Sequence, residues 1–331
     1  MSKIMISIIA YREKNLKETV LSAYNNASNK ENIYFSIVEE DNKENYSDLS
    51  FIPENQIIYR KFDLSEYRGI LWARNLTTEV GFDYDYILYI CGHTIFTENW
   101  DTICLDEYNK ALLKSEKPVL TYCGPDYEIS EDGSVRLHNT QLNLEENLYH
   151  SQISPGFTPG FWFPSSSHPP KDDDVHEGYW VHFTWCFASK DFVKEVPLDP
   201  EMNFNGEEPY VTVQAWCRGW RFYATSKILY WHNTVKKYPG EEKPRYMTHR
   251  PWMDKNKKAY WENSDKSMIK LNMLLSGRLT GKYGDISKEK VVEFCLASGM
   301  DSKFTEYNPD YHKTEGYQHC VAHRNDDPVE I

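Results

Sequence analysis

A thiol and an imidazole lie two residues apart after a strongly apolar segment in the first third of the chain. The segment 85–91 (DYILYIC) predicts a central β-strand, and Gly92 and His93 follow its last residue, Cys91. Glycine permits a close approach of the backbone, and thiolates and imidazoles both bind metal ions. The motif indicates a site for a metal or a phosphate. Its alternative explanation is a buried cysteine beside a hydrogen-bonded histidine.

A pair of adjacent carboxylates stands at the start of a helix-like segment. Glu207 and Glu208 follow Gly206 and precede the segment 210–217. Carboxylates at a helix N-terminus are stabilised by the helix dipole, so capping alone would explain the pair. The functional interpretation is a general base, or a group that positions a nucleophile.

One distal histidine and three arginines complete the set of candidate residues. His232 ends a predicted strand, and a lone histidine is more often structural than a ligand unless it pairs with His93. Arg12, Arg68 and Arg74 each follow or flank the end of an early strand. Because arginine binds phosphate oxygens through a bidentate fork, the three predict a pyrophosphate site; otherwise they are surface arginines.

Alternating strands and helices must position these residues. Predicted strands cover 5–10, 33–39, 56–60, 85–91 and 118–122, and predicted helices cover 15–27, 67–80 and 99–114. The alternation indicates an α/β protein with a doubly wound, mostly parallel sheet, in which ligands bind beyond the carboxyl ends of the strands.

The second half of the chain is less regular. No strand or helix period survives in 124–178, which is rich in Pro, Ser, Gly and Asp. Regular structure returns at 180–188 and 210–217, and helices are predicted at 268–275 and 288–297, before a polar tail.

Composition excludes several classes of protein. The 331 residues include 37 basic and 50 acidic side chains, a net charge of −13, so the chain is not a general polyanion binder. Its 7 cysteines form no CxxC motif, which argues against a disulfide framework or a zinc ribbon and favours a reducing cytoplasm. No apolar run approaches the ~20 residues of a membrane span, so we expect no membrane association.

In this order the motifs resemble those of the cytoplasmic N-acetylglucosaminyltransferases that modify hydroxyproline on a protein, and their bacterial and viral relatives. A more distant similarity is to the polypeptide N-acetylgalactosaminyltransferases. The matching pieces are 7–12, 67–69, 73–74, 91–93, 96, 99–101, 118–121, 196–200, 204–208, 219–220, 222–224, 232, 267–275, 284 and 299–301. The resemblance covers about residues 3–301.

The resemblance implies a GT-A glycosyltransferase fold. Its catalytic domain would cover 1–235, with a nucleotide-sugar half at 1–123 and an acceptor half with an irregular insertion at 124–235. A basic aromatic loop would follow at 236–262, and C-terminal helices with a tail at 263–331.

The resemblance also assigns roles to residues. The contacts to the nucleotide sugar would be Ala10, Tyr11, Arg12, Arg68, Arg74, Cys91 and Gly92. A divalent metal, Mn²⁺ or Mg²⁺, would be held by His93 and His232. Glu207 and Glu208 would be the catalytic carboxylates near the acceptor.

One position departs from the family pattern. Where the family motif begins with aspartate, this chain has Cys91. Mn²⁺ prefers oxygen and imidazole ligands, whereas a thiolate suits softer metals. Three explanations stay open: a metal held by His93, His232 and phosphate oxygens, a metal replaced by arginine or lysine contacts, or lost catalysis.

The acceptor side offers aromatic and basic residues. Segment 236–258 carries eight Lys or Arg against three acidic residues, with Tyr and Trp interleaved. It could close over the diphosphate, follow a nucleic-acid backbone, or be a solvated surface loop. The residues expected on the acceptor side are Trp162, His182, Trp185, Lys243 and Arg245.

The sequence thus predicts a cytoplasmic glycosyltransferase that moves a sugar from a nucleotide-diphosphate donor, UDP-linked, to a hydroxyl of a protein or saccharide. The relatives suggest retention of the anomeric configuration. An alternative is a phage-type DNA glycosyltransferase in a host cytoplasm, acting on hydroxymethylated cytosine, which must be reached or flipped out of the stack. A second alternative is a non-catalytic sugar-nucleotide-binding relative, suggested by Cys91.

Overall fold

An eight-stranded sheet forms the centre of the protein. The computed structural model describes residues 2–41, 48–130, 132–137, 173–203, 206–233, 257–300 and 305–306. The strands of the first half are β1 (Ile4–Tyr11), β2 (Ile33–Glu40), β3 (Ile57–Phe62), β4 (Tyr86–Cys91), β5 (Thr94–Phe96) and β6 (Pro118–Thr121). Those that follow are β7 (Tyr127–Ile129), β8 (Val135–Leu137), β9 (His176–Gly178), β10 (Trp185–Ser189), β11 (Arg221–Ala224) and β12 (Tyr230–His232).

The strand order is β3-β2-β1-β4-β10-β6-β11-β9. Strands β3, β2, β1 and β4 are parallel, as are β6 and β11. Strand β10 runs antiparallel between β4 and β6, and β9 is antiparallel at the edge of β11. The predicted mostly parallel sheet is therefore confirmed.

Helices cover both faces of the sheet. They are α1 (Leu16–Asn25), α2 (Ile70–Thr78), α3 (Trp100–Leu112), α4 (Asp191–Glu195), α5 (Glu207–Cys217), α6 (Lys257–Leu275) and α7 (Lys288–Ser298). One buried apolar cluster joins α1 and α3 to one face, and the other joins α2, α4, α5, α6 and α7 to the opposite face. Among the described residues, no helix combines the length and apolar character that crossing a membrane needs.

Two sequence expectations need correction. Segment 124–178 contains the short strands β7, β8 and β9 in its described parts, although no strand period is visible there. Strand β9 pairs with β11, which lies further along the chain, and β7 pairs with β8 across a turn. Strands of three residues are long enough for this pairing. Helix α6 begins at Lys257, inside the segment 236–262 expected to be an irregular loop. Residues 236–256 of that segment lie outside the described residues.

Candidate metal and carboxylate site

Three metal-ligating side chains meet beyond the carboxyl end of β4. A sulfur of Cys91 and one nitrogen each of His93 and His232 all lie within 4.8 Å of one another. The two imidazole rings are 4.5 Å apart at their centroids, and His232 is 7% exposed. Thiolate and imidazole donors at this spacing fit a divalent transition-metal ion.

The pairing of β5 with β12 brings the distal histidine to this place. Thr94 is the register partner of His232, and the main-chain N–H of Asn233 donates to the carbonyl of His93 at 3.1 Å. The N–H of His232 donates to the carbonyl of Pro125 at 2.9 Å. The structure therefore brings together the two histidines that the sequence predicts as metal ligands.

Glu13 orients the imidazole of His93. Its Oε2 lies 2.7 Å from Nδ1 of His93, and its side chain is only 2% exposed. A carboxylate that accepts from Nδ1–H leaves Nε2 with its lone pair for a metal, the usual arrangement around metal-binding histidines. Sequence reasoning missed Glu13, because a single glutamate after a strand carries no distinguishing signal.

The backbone around Glu13 is shaped for this contact. Arg12 adopts a left-handed conformation with φ of 49°, and its N–H donates to the carbonyl of Glu40 at 3.0 Å. At Gly92, an added Cβ would lie 2.9 Å from Cγ of Glu13 and 3.3 Å from Cβ of Ala10. Gly92 thus allows the strand end to pass close to the carboxylate that holds His93.

The carboxylate pair, Glu207 and Glu208, lies in the first turn of α5. Oε1 of Glu208 accepts from the N–H of Phe183 at 2.9 Å, and Oε2 accepts from Nε1 of Trp180 at 3.1 Å. Oε2 of Glu207 accepts from the N–H of Gly206 at 3.1 Å. Burial raises the pKa of both carboxyls, and the charge of Glu208 raises that of Glu207 further.

Phe183 links the cluster to the carboxylate pair. Its N–H binds Glu208, whereas its carbonyl accepts from Sγ of Cys91 at 3.9 Å and from Nη2 of Arg74 at 3.1 Å. The two groups of candidate residues thus share one short piece of backbone just before β10. Neither Phe183 nor Trp180 could be singled out from the sequence, because their main-chain and indole donors depend on the fold.

Arg74 lies in the interior. It has no exposed surface, and Nη1 donates to the carbonyl of Ile90 at 3.5 Å. Its guanidinium lies 4.5 Å from the ring centroid of Phe183 and 5.5 Å from that of Tyr89. Arg74 supports the backbone on both sides of the cluster from within the core, and this position is unlike the phosphate contact expected from the sequence.

The other arginines lie nearer the surface. Arg12 and Tyr11 are partly exposed, and Arg68 is exposed over the ring of Trp72. The rings of Tyr11 and Tyr67 make an edge contact with centroids 5.5 Å apart. These residues flank the carboxyl end of β1, whereas Ala10 is buried.

Two buried carboxyls end the neighbouring strand, β2. Glu39 makes a short hydrogen bond with the hydroxyl of Tyr59. Glu40 is 3% exposed, and burial raises its pKa to about 8. Within the described part of the chain its Oε1 has no hydrogen-bond partner. The strand-end rule could have found both glutamates, since they follow an apolar strand at the edge where ligands bind.

The candidates for the acceptor side lie in different environments. Trp185 is a core residue with no exposed surface, stacked on Tyr230 with centroids 4.8 Å apart, so it forms no acceptor wall. His182 stands closer to the carboxylate pair: its ring centroid is 6.2 Å from that of Trp180, and burial lowers its pKa to about 4. Trp162, Lys243 and Arg245 lie outside the described residues.

The mostly parallel α/β sheet, with the candidate residues beyond its strand ends, is the architecture that the sequence predicts. A family model described as "Glycosyltransferase (GlcNAc)" matches residues 45–303, most of the chain. The protein belongs to this GlcNAc glycosyltransferase family. No curated protein matches the chain in sequence.

Two solved structures of similar shape are those of GalNAc-T7 and of TarS from S. aureus. GalNAc-T7 with UDP, GalNAc and Mn²⁺ is 12% identical, with a TM-score of 0.49 over 98% of this chain and 58% of that one. TarS 1–349 of S. aureus with UDP-GlcNAc is 13% identical, with a TM-score of 0.49 over 97% of this chain and 80% of that one. The protein thus spans little more than half of the GalNAc-T7 chain.

Proposed function

We propose that the protein transfers a sugar from a UDP-linked nucleotide sugar to a hydroxyl group of a macromolecule, a protein or a saccharide. The observation that carries the proposal is the shared position of Phe183. Its carbonyl contacts Cys91 of the metal-donor cluster, and its N–H contacts Glu208 of the carboxylate pair. Family membership supports the reaction class.

On the donor side, Cys91, His93 and His232 would hold a divalent metal. A metal bound there neutralises charge on the diphosphate leaving group. Arg12 and Arg68 would add guanidinium contacts to the phosphates from the exposed rim.

The base of the nucleotide would lie at the ends of β1 and β2. Tyr11 supplies a partly exposed aromatic ring. Oε1 of Glu40, for which the described residues supply no hydrogen-bond partner, offers an acceptor for a ring N–H such as that of uracil. Glu39 lies next to it, with its carboxyl held by Tyr59. These groups support a UDP-linked donor.

On the acceptor side, Glu208 would orient or deprotonate the hydroxyl. Two hydrogen bonds fix its carboxylate, and burial raises its pKa, which makes it a stronger base at neutral pH. Glu207 is less exposed than Glu208, and the charge of Glu208 raises the pKa of Glu207. The neutral His182 would face the same side.

The charge of 236–258 supports a second candidate function, glycosylation of hydroxymethylated cytosine in DNA. This segment carries eight basic and three acidic residues in a chain of net charge −13. Such a local excess suits a phosphate backbone, and it suits a donor diphosphate equally well. We propose the protein or saccharide acceptor first.

The test is a panel of nucleotide sugars against a hydroxyproline peptide and hydroxymethylcytosine DNA, read by mass spectrometry with and without added metal. Transfer to the peptide supports the first proposal, and transfer to the DNA replaces it with the second. The absence of both transfer and donor hydrolysis would favour a non-catalytic sugar-nucleotide-binding relative, which the cysteine at position 91 suggests.

The variant Glu208→Gln tests the assigned base. Gln keeps the shape and one acceptor oxygen, so donor binding should stay within about twofold while transfer falls by about 10²–10⁴-fold. The matched control is Glu293→Gln, which changes an exposed carboxylate on α7 that pairs with Lys290. An equal loss of donor affinity and turnover in Glu208→Gln would contradict the role.

A further inference from the structure

We propose that the Cys91–His93–His232 cluster selects a borderline-soft ion of the zinc type, Zn²⁺ or Co²⁺, in place of the Mn²⁺ or Mg²⁺ that the resemblance implies. The inference deepens the proposed function and rests on it only in placing a metal at the donor site.

The donor atoms of the cluster favour softer metal ions. The cluster consists of one sulfur and two imidazole nitrogens, and no carboxylate of the described residues belongs to it. Thiolate and imidazole suit Zn²⁺ and Co²⁺, whereas Mn²⁺ and Mg²⁺ are hard ions that favour carboxylate, carbonyl and water oxygens. A thiolate in the place of a carboxylate therefore shifts the preference toward softer ions.

The number and spacing of the donors fit a zinc site. Three protein ligands with a remaining open position form the usual catalytic zinc site, in a tetrahedral arrangement. Tetrahedral donors are about 3.5 Å apart when metal bonds are about 2.0–2.3 Å long. The observed separations of at most 4.8 Å need only small side-chain rotations to reach this spacing. The hard ions, in contrast, need six or more oxygen ligands.

The residues around the cluster also suit an ion with few water ligands. Glu13 accepts from Nδ1 of His93, the arrangement that fixes histidines on zinc. Sγ of Cys91 donates to the carbonyl of Phe183 at 3.9 Å, a contact that positions the sulfur and is given up when the thiol releases its proton to a metal ion. His232 is almost fully buried, which limits the number of water ligands that a hard ion could keep.

Cobalt spectroscopy tests the sulfur ligand without any sugar donor. The full-length protein is freed of metal, titrated with Co²⁺ and followed in the near-ultraviolet and visible range. We expect one equivalent of Co²⁺ to give a thiolate-to-cobalt charge-transfer band and intense d–d bands of a four-coordinate ion. Zn²⁺ should displace the Co²⁺, and a tenfold larger concentration of Mn²⁺ should not.

Three variants separate this centre from other thiols. Cys91→Ser should abolish the charge-transfer band and weaken Co²⁺ binding by more than about tenfold, since one of three protein ligands is lost. Cys91→Asp should restore binding without the band and lower the ratio of Zn²⁺ to Mn²⁺ affinity by at least about tenfold. Cys217→Ser changes a cysteine on α5 outside the cluster and should keep the spectrum of the unchanged protein.

Persistence of the band in Cys91→Ser, or equal displacement of Co²⁺ by Mn²⁺ and Zn²⁺, would overturn the inference. Circular dichroism of each metal-free variant shows whether it folds; if Cys91→Ser does not, Cys91→Asp decides the matter alone. Because no donor or acceptor is present, a failed transfer reaction with an intact cobalt spectrum would count against the proposed function only.

Discussion

Nδ1 of His93 lies 2.7 Å from Oε2 of Glu13, and the two residues are separated by 80 positions in the chain. The contact joins the turn after β1 to the turn after β4, at the edge of the sheet where ligands bind in this class of fold. Oε1 of the same carboxylate accepts from the N–H of Asn15 at 3.2 Å, so its orientation is set before any metal binds.

Removal of this carboxylate should weaken the metal site. Glu13→Ala removes the acceptor that fixes the tautomer of His93, and the loss of such a partner costs about 10–100-fold in metal affinity. Glu13→Gln keeps an acceptor oxygen and should cost less than Glu13→Ala. Calorimetric titration with Zn²⁺ measures the affinities. Glu18→Gln, an exposed carboxylate on α1, is the control.

The same contact should be sensitive to a single methyl group at Gly92. Gly92→Ala places a Cβ 2.9 Å from Cγ of Glu13, so the carboxylate or the strand end must shift. Overpacking of this kind costs about 1–3 kcal/mol, and metal affinity should fall with it. Urea denaturation and metal titration give the two quantities. Gly81→Ala adds a Cβ with no atom within 4 Å, and it should change neither.

The sequence predicted the sheet more completely than the site. The apolar segments 5–10, 33–39 and 85–91 lie within the strands Ile4–Tyr11, Ile33–Glu40 and Tyr86–Cys91 almost to the residue, because buried parallel strands read as uninterrupted apolar runs. Segment 176–178 showed no such run, since an edge strand of three residues needs none.

The site was predictable where spacing along the chain carried the signal. Cys91 and His93 stand two residues apart and could be proposed together, whereas their meeting with His232 depends on the pairing of β5 with β12. The contact between Glu13 and His93 depends on the turns after β1 and β4, and no local sequence pattern predicts it. The interior position of Arg74 was not predictable either, because buried and phosphate-binding arginines look alike in a sequence.

The interior position of Arg74 leads to a prediction about the backbone near the cluster. Its guanidinium donates to the carbonyls of Ile90 and Phe183 at 3.5 and 3.1 Å. Arg74→Lys supplies one ammonium for both carbonyls and loses the flat contact with the ring of Phe183. We expect a loss of about 2–4 kcal/mol in the free energy of unfolding.

Turnover should reveal whether Arg74 also positions the site. Because Phe183 contacts both Cys91 and Glu208, a displaced backbone should lower kcat more than it raises the KM for the donor. The control is Arg136→Lys at an exposed position on β8. An unfolding free energy equal to that of the unchanged protein would contradict the supporting role.

The buried carboxyl of Glu40 should make stability depend on pH. Burial raises its pKa from 4.5 to about 8, so the folded protein keeps a proton that the unfolded chain has released in that interval. Its contribution to stability is complete below pH 4.5, decreases as the pH rises, and is gone above about pH 8. The slope from this one group is at most about 1.4 kcal/mol per pH unit.

Glu40→Gln removes the titrating group while keeping its shape, so the variant should lose part of this slope and be more stable than the unchanged protein near pH 8. Urea denaturation at a series of pH values from about 5 to 9 measures the difference between the two proteins. Glu54→Gln, an exposed carboxylate before β3, should leave the curve unchanged. Parallel curves for Glu40→Gln and the unchanged protein would show that folding does not raise the pKa of Glu40. An ionised Glu40 would then lie beside the nucleotide base in the proposed site.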